Sequence, residues 1–425
     1  MPVDAPPFDL SLDQLRLRTS AKWRAADPGV LPLWVAEMDV MPARPVVDAL
    51  RQALERGDTG YAFGPEYAEA YAAFATARWG FGGLDPARSA LVPDVMLGAV
   101  ELLKLVTAPG DAVVVTPPVY PPFYAFAAHL GRRVVEVPLN AAQRLDLPAL
   151  ANAFDAAGAA GAAAFLLCNP HNPTGTVHSP DELAGVAAAA EATGVRVVAD
   201  EIHAPLVLPG ATFTPYLAVA GAERGFALVS ASKGWNLPGL KAAVAFAGPA
   251  AAGDLTRLPE EVGHGASHLA VLAHTAALRH GEEWLDAVVD GLDRNRSLLG
   301  ELLAASLPSV RWTPGAATYL AWLDFSELAR VTSTPGTPTE LVRGDASART
   351  GVAAWFLEHA RVLLSSGPAF GSGGERCARL NFATSASLLT EAVERMGAAT
   401  GDSRGRPPAA LGDAPPRSVT PRRAP

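Results

Sequence analysis

Short apolar runs punctuate the first 250 residues: Ala112–Thr116, Arg133–Pro138, Ala163–Cys168, Val195–Ala199, Phe226–Ser230 and Ala242–Ala247. Runs of this length without polar alternation predict strands buried on both faces of a mainly parallel sheet. The stretches between them are long enough for crossover helices. One, from Ser179-Pro-Asp-Glu-Leu to Thr193-Gly194, carries both a start and a stop signal. The alternation predicts an α/β architecture, with the large domain over residues 46–289.

Further on, Ala317-Thr-Tyr-Leu-Ala-Trp-Leu-Asp324 and Cys377-Ala-Arg-Leu-Asn-Phe382 read as strands of a smaller α+β domain over 290–398, on which residues 1–45 are expected to pack. Residues 331–350, rich in Thr, Pro, Gly and Ser, read as a loop insertion. Residues 399–425 have no periodicity and many prolines, which predicts a disordered tail.

Composition narrows the function classes. At 425 residues and 49% hydrophobic content the chain can build two domains with a sizeable core. A net charge of −9 argues against nucleic acid or an anionic membrane as partner. The longest stretch of small apolar residues, Ala156 to Cys168, falls short of the ~20 residues that span a bilayer. The start, Met1-Pro-Val-Asp-Ala-Pro-Pro, has no basic or apolar signal region, so a cytoplasmic location is expected. Cys168 and Cys377 are no disulfide framework, and His264-Gly-Ala-Ser-His268 lacks the glutamate of a zincin; no metal is expected.

The candidate chemistry starts with a scarcity. Of 34 basic residues only four are lysines, and Lys233 stands just past an apolar run in Val229-Ser-Ala-Ser-Lys-Gly-Trp-Asn-Leu-Pro-Gly-Leu-Lys241. Arginine cannot give up its proton to become a nucleophile. A desolvated lysine can, and can form a Schiff base with an aldehyde cofactor. Upstream lie Cys168-Asn-Pro-His-Asn-Pro-Thr-Gly175 and Val195-Arg-Val-Val-Ala-Asp-Glu-Ile-His203, each following an apolar run. Tyr120, Asn172, Asp200 and Ser230 to Lys233 thus all follow expected strands, where open α/β sheets bind ligands.

In this order the motifs resemble the fold-type I pyridoxal 5′-phosphate (PLP) enzymes, the aminotransferase class I/II superfamily, over roughly residues 30–400. The resemblance implies a PLP-dependent transferase fold with a mainly parallel seven-stranded sheet. It implies that Lys233 carries the cofactor and is the base at Cα, that Asp200 pairs with the pyridine nitrogen, and that Asn172 donates to the ring oxygen while Tyr120 stacks on the ring. The phosphate falls to the amides of Met96 and Leu97, within one residue, to Ser230 and Ser232, and to Tyr61 from across a homodimer interface. Lys241 stands where many aminotransferases carry an arginine. Arg379 corresponds to the clamp on the substrate carboxylate.

Leu33-Trp-Val-Ala-Glu-Met-Asp39 resembles the signature of the MalY/PatB branch of cystathionine β-lyases, with Glu37 replacing the usual aspartate. Gly60-Tyr61, Asp200-Glu-Ile-His203 and Thr318-Tyr-Leu-Ala-Trp-Leu-Asp324 agree with that branch. His203 stands where ordinary aminotransferases usually carry tyrosine. Trp34, Tyr61 and Tyr319 would line the thioether side. The implied reaction is β-elimination from L-cystathionine or another cysteine S-conjugate, giving thiol, pyruvate and ammonia. An aminotransferase keeping the same site, and a PLP-binding regulatory protein, stand as alternatives.

Overall fold

The computed structural model describes residues 7–332 and 351–402. Leu31–Pro32 forms the first short strand, β1. Seven strands then build one sheet: β2 (Ser89–Val92), β3 (Ala112–Val115), β4 (Arg133–Glu136), β5 (Ala163–Cys168), β6 (Arg196–Asp200), β7 (Phe226–Val229) and β8 (Ala243–Ala247). Their order is β2-β8-β7-β6-β5-β3-β4. The ladders from β4 to β7 are parallel, and β8 runs antiparallel to both β7 and β2.

Every residue of β3, β5, β7 and β8 is buried, as unbroken apolar runs predict. Strand β4 departs from that expectation. It closes one edge of the sheet, and both Arg133 and Glu136 are exposed. Strand β2, at the other edge, has no counterpart among the expected runs. Ser89-Ala-Leu-Val92 is short and mostly half-buried, so its hydropathy signal is weak.

The crossover helix forms over Pro180–Thr193 for the reasons read in its sequence. Ser179 and Glu182 make a reciprocal capping box, Pro180 opens the first turn, and Gly194 closes it at φ 76°. It packs against the helix Leu147–Ala160 beneath β3, β5 and β6.

The second sheet takes β9 (Leu320–Asp324), β11 (Ser365–Ser366) and β12 (Cys377–Asn381), antiparallel in the order β11-β12-β9. Strand β10 (Val362–Leu363) pairs in parallel with β1 through Leu31↔Val362, which stitches the N-terminal segment to the C-terminal part of the chain. The expected boundary at 289/290 lies inside one continuous helix, Glu282–Ser306. Of the expected insertion, residues 331 and 332 end the short helix Ala329–Thr332, and 333–350 lie outside the described residues. The last described helix, Ala386–Thr400, runs into the expected tail, of which 403–425 lie outside the described residues. Among the described residues, no helix is long and apolar enough to cross a membrane.

Candidate active site

A pocket opens at the carboxyl ends of β3, β5, β6 and β7. Tyr120, Cys168, Asn172, Asp200, His203, Ser232 and Lys233 line it, joined by Ala36 from the N-terminal segment and by Asp94, Met96 and Lys241 at one end. Strand order explains the convergence. The four strands are neighbours in the sheet and parallel, so the loops leaving them meet on one side.

Behind Asn172, the turn is shaped by a close approach. Gly175 has φ 70°, and a Cβ there would stand 2.7 Å from the Ala317 carbonyl oxygen, so this position takes glycine. Gly175 donates its N–H to the His171 carbonyl, and the Asn172 N–H reaches Cys168 Sγ at 3.3 Å.

Lys233 sits on a turn built by Ser230 and Tyr67. Ser230 Oγ donates to the Ala242 carbonyl at 2.7 Å and accepts from the Ser232 N–H at 3.2 Å. Tyr67 Oη accepts from the Ala231 N–H at 3.1 Å and meets His274 Nδ1 at 2.9 Å. Ser230 therefore shapes the turn with a hydroxyl already committed and does not line the pocket, in contrast to the expected phosphate contact. Ser232 does line it. Tyr67 was not read from the sequence, since a tyrosine in an alanine-rich helix carries no signal of a partner 164 positions away.

Five consecutive carbonyls of the segment 34–38 accept hydrogen bonds from side chains. Trp34 O takes Arg379 Nη2 (3.0 Å) and Ser365 Oγ (2.8 Å), and Val35 O takes Asn381 Nδ2 (2.7 Å). Ala36 O takes Lys233 Nζ (2.8 Å) and Tyr319 Oη (2.9 Å). Glu37 O takes Asn381 Nδ2 (2.7 Å) and Lys22 Nζ (3.2 Å), and Met38 O takes Asn236 Nδ2 (2.8 Å) and Arg18 Nη1 (3.2 Å). Asn236 also accepts from the Met38 N–H at 2.7 Å, from a left-handed backbone position at φ 56°. The segment is a strap that meets the pocket at Ala36, fastened by both halves of the chain.

Trp34 serves this strap through its backbone. Its indole packs with Val30, Leu357 and Leu363 in a small hydrophobic cluster and does not line the pocket, unlike the expectation of a thioether contact. Tyr319, fully buried, holds the Ala36 carbonyl and lies edge-on to His203 at 6.2 Å. It too is absent from the pocket lining.

Burial governs the electrostatics. Desolvation, then the Arg379 and Lys241 charges, push Lys233 down to about 8, against the opposing pull of Glu37 and Asp200. Desolvation pushes Asp200 up to about 6, offset in part by the Ile202 N–H and by Lys233, so it is mainly ionised at neutral pH. Burial, then the Lys233 and Arg379 charges, push His203 well below the usual imidazole range, and among the described residues its Nδ1 has no partner. Arg379, buried, bonds Asn172 Oδ1 at 2.9 Å besides Trp34 O and Ser365 Oγ. All these partners are neutral, and among the described residues its Nε has no partner. A buried cation with neutral partners favours an anionic ligand.

At the other end, the helix Val95–Val106 points its N-terminus into the pocket. Asp94 caps it, accepting the Leu97 N–H at 2.8 Å. That removes Leu97, itself 41% exposed, from the expected anion contacts. Met96 lines the pocket. Lys241 Nζ lies 3.1 Å from Asp94 Oδ2.

Tyr61 lies outside this pocket. It is 78% exposed, forms a bridge with Ser267 and has His264 5.2 Å from its ring. Two nearby histidines take separate partners: His268 pairs with Asp58, and His274 with Tyr67. Among the described residues, no group of three or more His, Cys, Asp or Glu could hold a metal ion.

Residues 29–396 match the model of the family described as aminotransferase class I and II. The chain belongs to that family. Within it, this chain is 58% identical over 401 residues to a Mycobacterium tuberculosis protein named "Putative cystathionine beta-lyase", covering 93% of this chain and 98% of the relative. It is 34% identical over 399 residues to the "Cystathionine beta-lyase" of Corynebacterium glutamicum, with 91% and 98% covered. A crystal structure from Corynebacterium diphtheriae, described as a "putative plp-dependent beta-cystathionase", superposes with a TM-score of 0.82 at 34% identity, over 93% of this chain and 99% of that one. Aminotransferase class I and II architecture accounts for the seven-stranded sheet and for the placement of Lys233, Asp200 and Asn172 at adjacent strand ends.

Proposed function

We propose that this protein is a PLP-dependent carbon–sulfur β-lyase that cleaves L-cystathionine or another cysteine S-conjugate to thiol, pyruvate and ammonia. One observation carries it: a half-buried lysine turns its amine to a pocket with a carboxylate at the next strand end, and Asn172 on the pocket wall is bonded to Arg379, a buried arginine with neutral partners. The names of relatives that share most of the chain's length support the choice of lyase over aminotransferase.

The residues fit the cofactor. Lys233 supplies an amine lowered towards neutrality, Asp200 a buried carboxylate, and Tyr120 an aromatic wall. The Val95–Val106 N-terminus and Lys241, the latter paired with Asp94, stand at the end where the phosphate would sit. When bound, PLP supplies an electron sink for the charge left at Cα. Asp200 would pair with the pyridine nitrogen, and Asn172 would hold the ring oxygen. Arg379 binds the substrate carboxylate through its guanidinium, which orients the Cα–H bond towards Lys233. Lys233 then takes the Cα proton, the bond from Cβ to the thioether sulfur breaks with the sulfur leaving as thiolate, and water hydrolyses the released aminoacrylate to pyruvate and ammonia.

Tyr61 and Phe63, 78% and 95% exposed, support a homodimer in which Tyr61 reaches the neighbouring pocket. Sedimentation as a monomer at micromolar concentration would remove that reading. We also keep residues 46–289 as the cofactor-bearing unit, with 1–45 and 290–398 as the smaller one, and the cytoplasm as the working compartment.

The test is one incubation of PLP-loaded protein with L-cystathionine and no 2-oxo acid. Equal catalytic release of thiol, pyruvate and ammonia is expected, and a demand for 2-oxo acid would favour the aminotransferase alternative. Arg379→Lys keeps the charge but loses the fork and the bonds to Asn172 and Trp34. Its kcat/KM should fall roughly 100-fold, the cost of misplacing a substrate by about 1 Å, with KM raised. A change under threefold would exclude Arg379 from carboxylate binding.

A further inference from the structure

We propose that Asp94 is a built-in competitor for the cofactor's phosphate: its carboxylate occupies Lys241 and the helix N-terminus, and the phosphate must displace it from Lys241 to bind. The inference rests on the PLP reading above. Asp94 accepts the Leu97 N–H through Oδ1 at 2.8 Å and pairs with Lys241 through Oδ2 at 3.1 Å, and both side chains line the pocket. Among the described residues, the lysines and arginines lining it are Lys233 and Lys241.

Lys233 is the residue that bonds the aldehyde, so Lys241 is left as the cation for the phosphate. Here Asp94 already neutralises it. The same carboxylate sits against the positive end of the Val95–Val106 helix, the other attraction available to an anion. A phosphate entering this end therefore meets a like charge and must break an existing pair. Cofactor is held less tightly than a helix N-terminus and a lysine alone would hold it, and it exchanges more readily.

Asp94→Asn tests this without losing the helix cap, because Asn Oδ1 still accepts the Leu97 N–H. Asp94→Ser, a second neutral cap, guards against a misfolded variant. Each protein is titrated with PLP and with pyridoxal, which lacks the phosphate, by visible absorbance alongside equilibrium dialysis. Both variants should bind PLP about tenfold more tightly than the wild type, the scale of removing one partly screened like charge, while pyridoxal affinity moves less than about twofold. Unchanged or weaker PLP binding by variants of normal melting temperature would overturn the inference. So would an equal gain for both ligands, since Asp94 would then act on the ring and not on the phosphate. A wild type that binds no PLP at all would sink the cofactor reading, and this inference with it.

Discussion

Lys233→Ala is expected to lower thioether cleavage by roughly 10⁴-fold, the upper end of what a positioned general base supplies, and to abolish the absorbance shift that marks covalent attachment of PLP. Lys233 has two tasks, holding the cofactor and moving the Cα proton, and Lys241 cannot take over either while paired to Asp94 at the far end of the pocket. The variant should stay folded, because it loses only the bond to the Ala36 carbonyl, which Tyr319 still holds. The wild type adds a pH test. With the amine pushed down to about 8, chiefly by burial, the neutral and nucleophilic form grows as pH rises through that value. Covalent uptake of PLP, followed by stopped-flow absorbance, should accelerate up to and through pH 8 and level off above it. Retained turnover in Lys233→Ala, or a flat pH profile between 6 and 9, would be incompatible with the assignment.

Lys22→Met should destabilise the protein by about 3–5 kcal/mol, the usual cost of stranding one partner of a buried ion pair. Lys22 is 0% exposed, and its Nζ lies 2.8 Å from Asp39 Oδ2. Without it, Asp39 would keep the Trp23 indole N–H at 2.9 Å and Arg18 only at 4.0 Å. The loss reaches the active site, because Lys22 also holds the Glu37 carbonyl of the strap that carries Ala36 to Lys233. KM should therefore rise together with the fall in melting temperature. Adding Asp39→Leu to Lys22→Met should recover much of the stability, since the stranded charge is then gone. A loss below about 1 kcal/mol in the single variant would mean that water reaches the pair.

The parts of this protein that could be read along the chain are those in which one segment contains its own reason. Continuous apolar runs predicted six strands of the large sheet; in all but the edge strand β4 the reason holds, because a strand buried on both faces has no polar side and that constraint is written residue by residue. Ser179, Glu182 and Gly194 located a helix because caps act within one turn. Lys233, Asp200, Asn172 and Tyr120 were legible because a binding loop directly follows the strand that aims it. Arg379, two residues into a short antiparallel strand, has no such local sign. It was reached through the family resemblance.

What only the tertiary structure decided is the set of partners each side chain meets across long separations. Trp34 and Arg379 are 345 positions apart, and Met38 and Asn236 are 198 apart. No local pattern states that five successive carbonyls of one segment would be claimed by side chains from both halves of the chain. Ser230 and Ser232 look alike in the sequence. Packing sends one hydroxyl inward to the Ala242 carbonyl and leaves the other on the pocket. Leu97 reads as a phosphate ligand in the sequence, whereas in space its N–H donates to the Asp94 carboxylate. By itself the sequence determined which chemistry the chain can hold and on which strands. Hydrogen bonds and charge pairs are settled by distance in space, so the folded arrangement alone decided which of those groups are free to act.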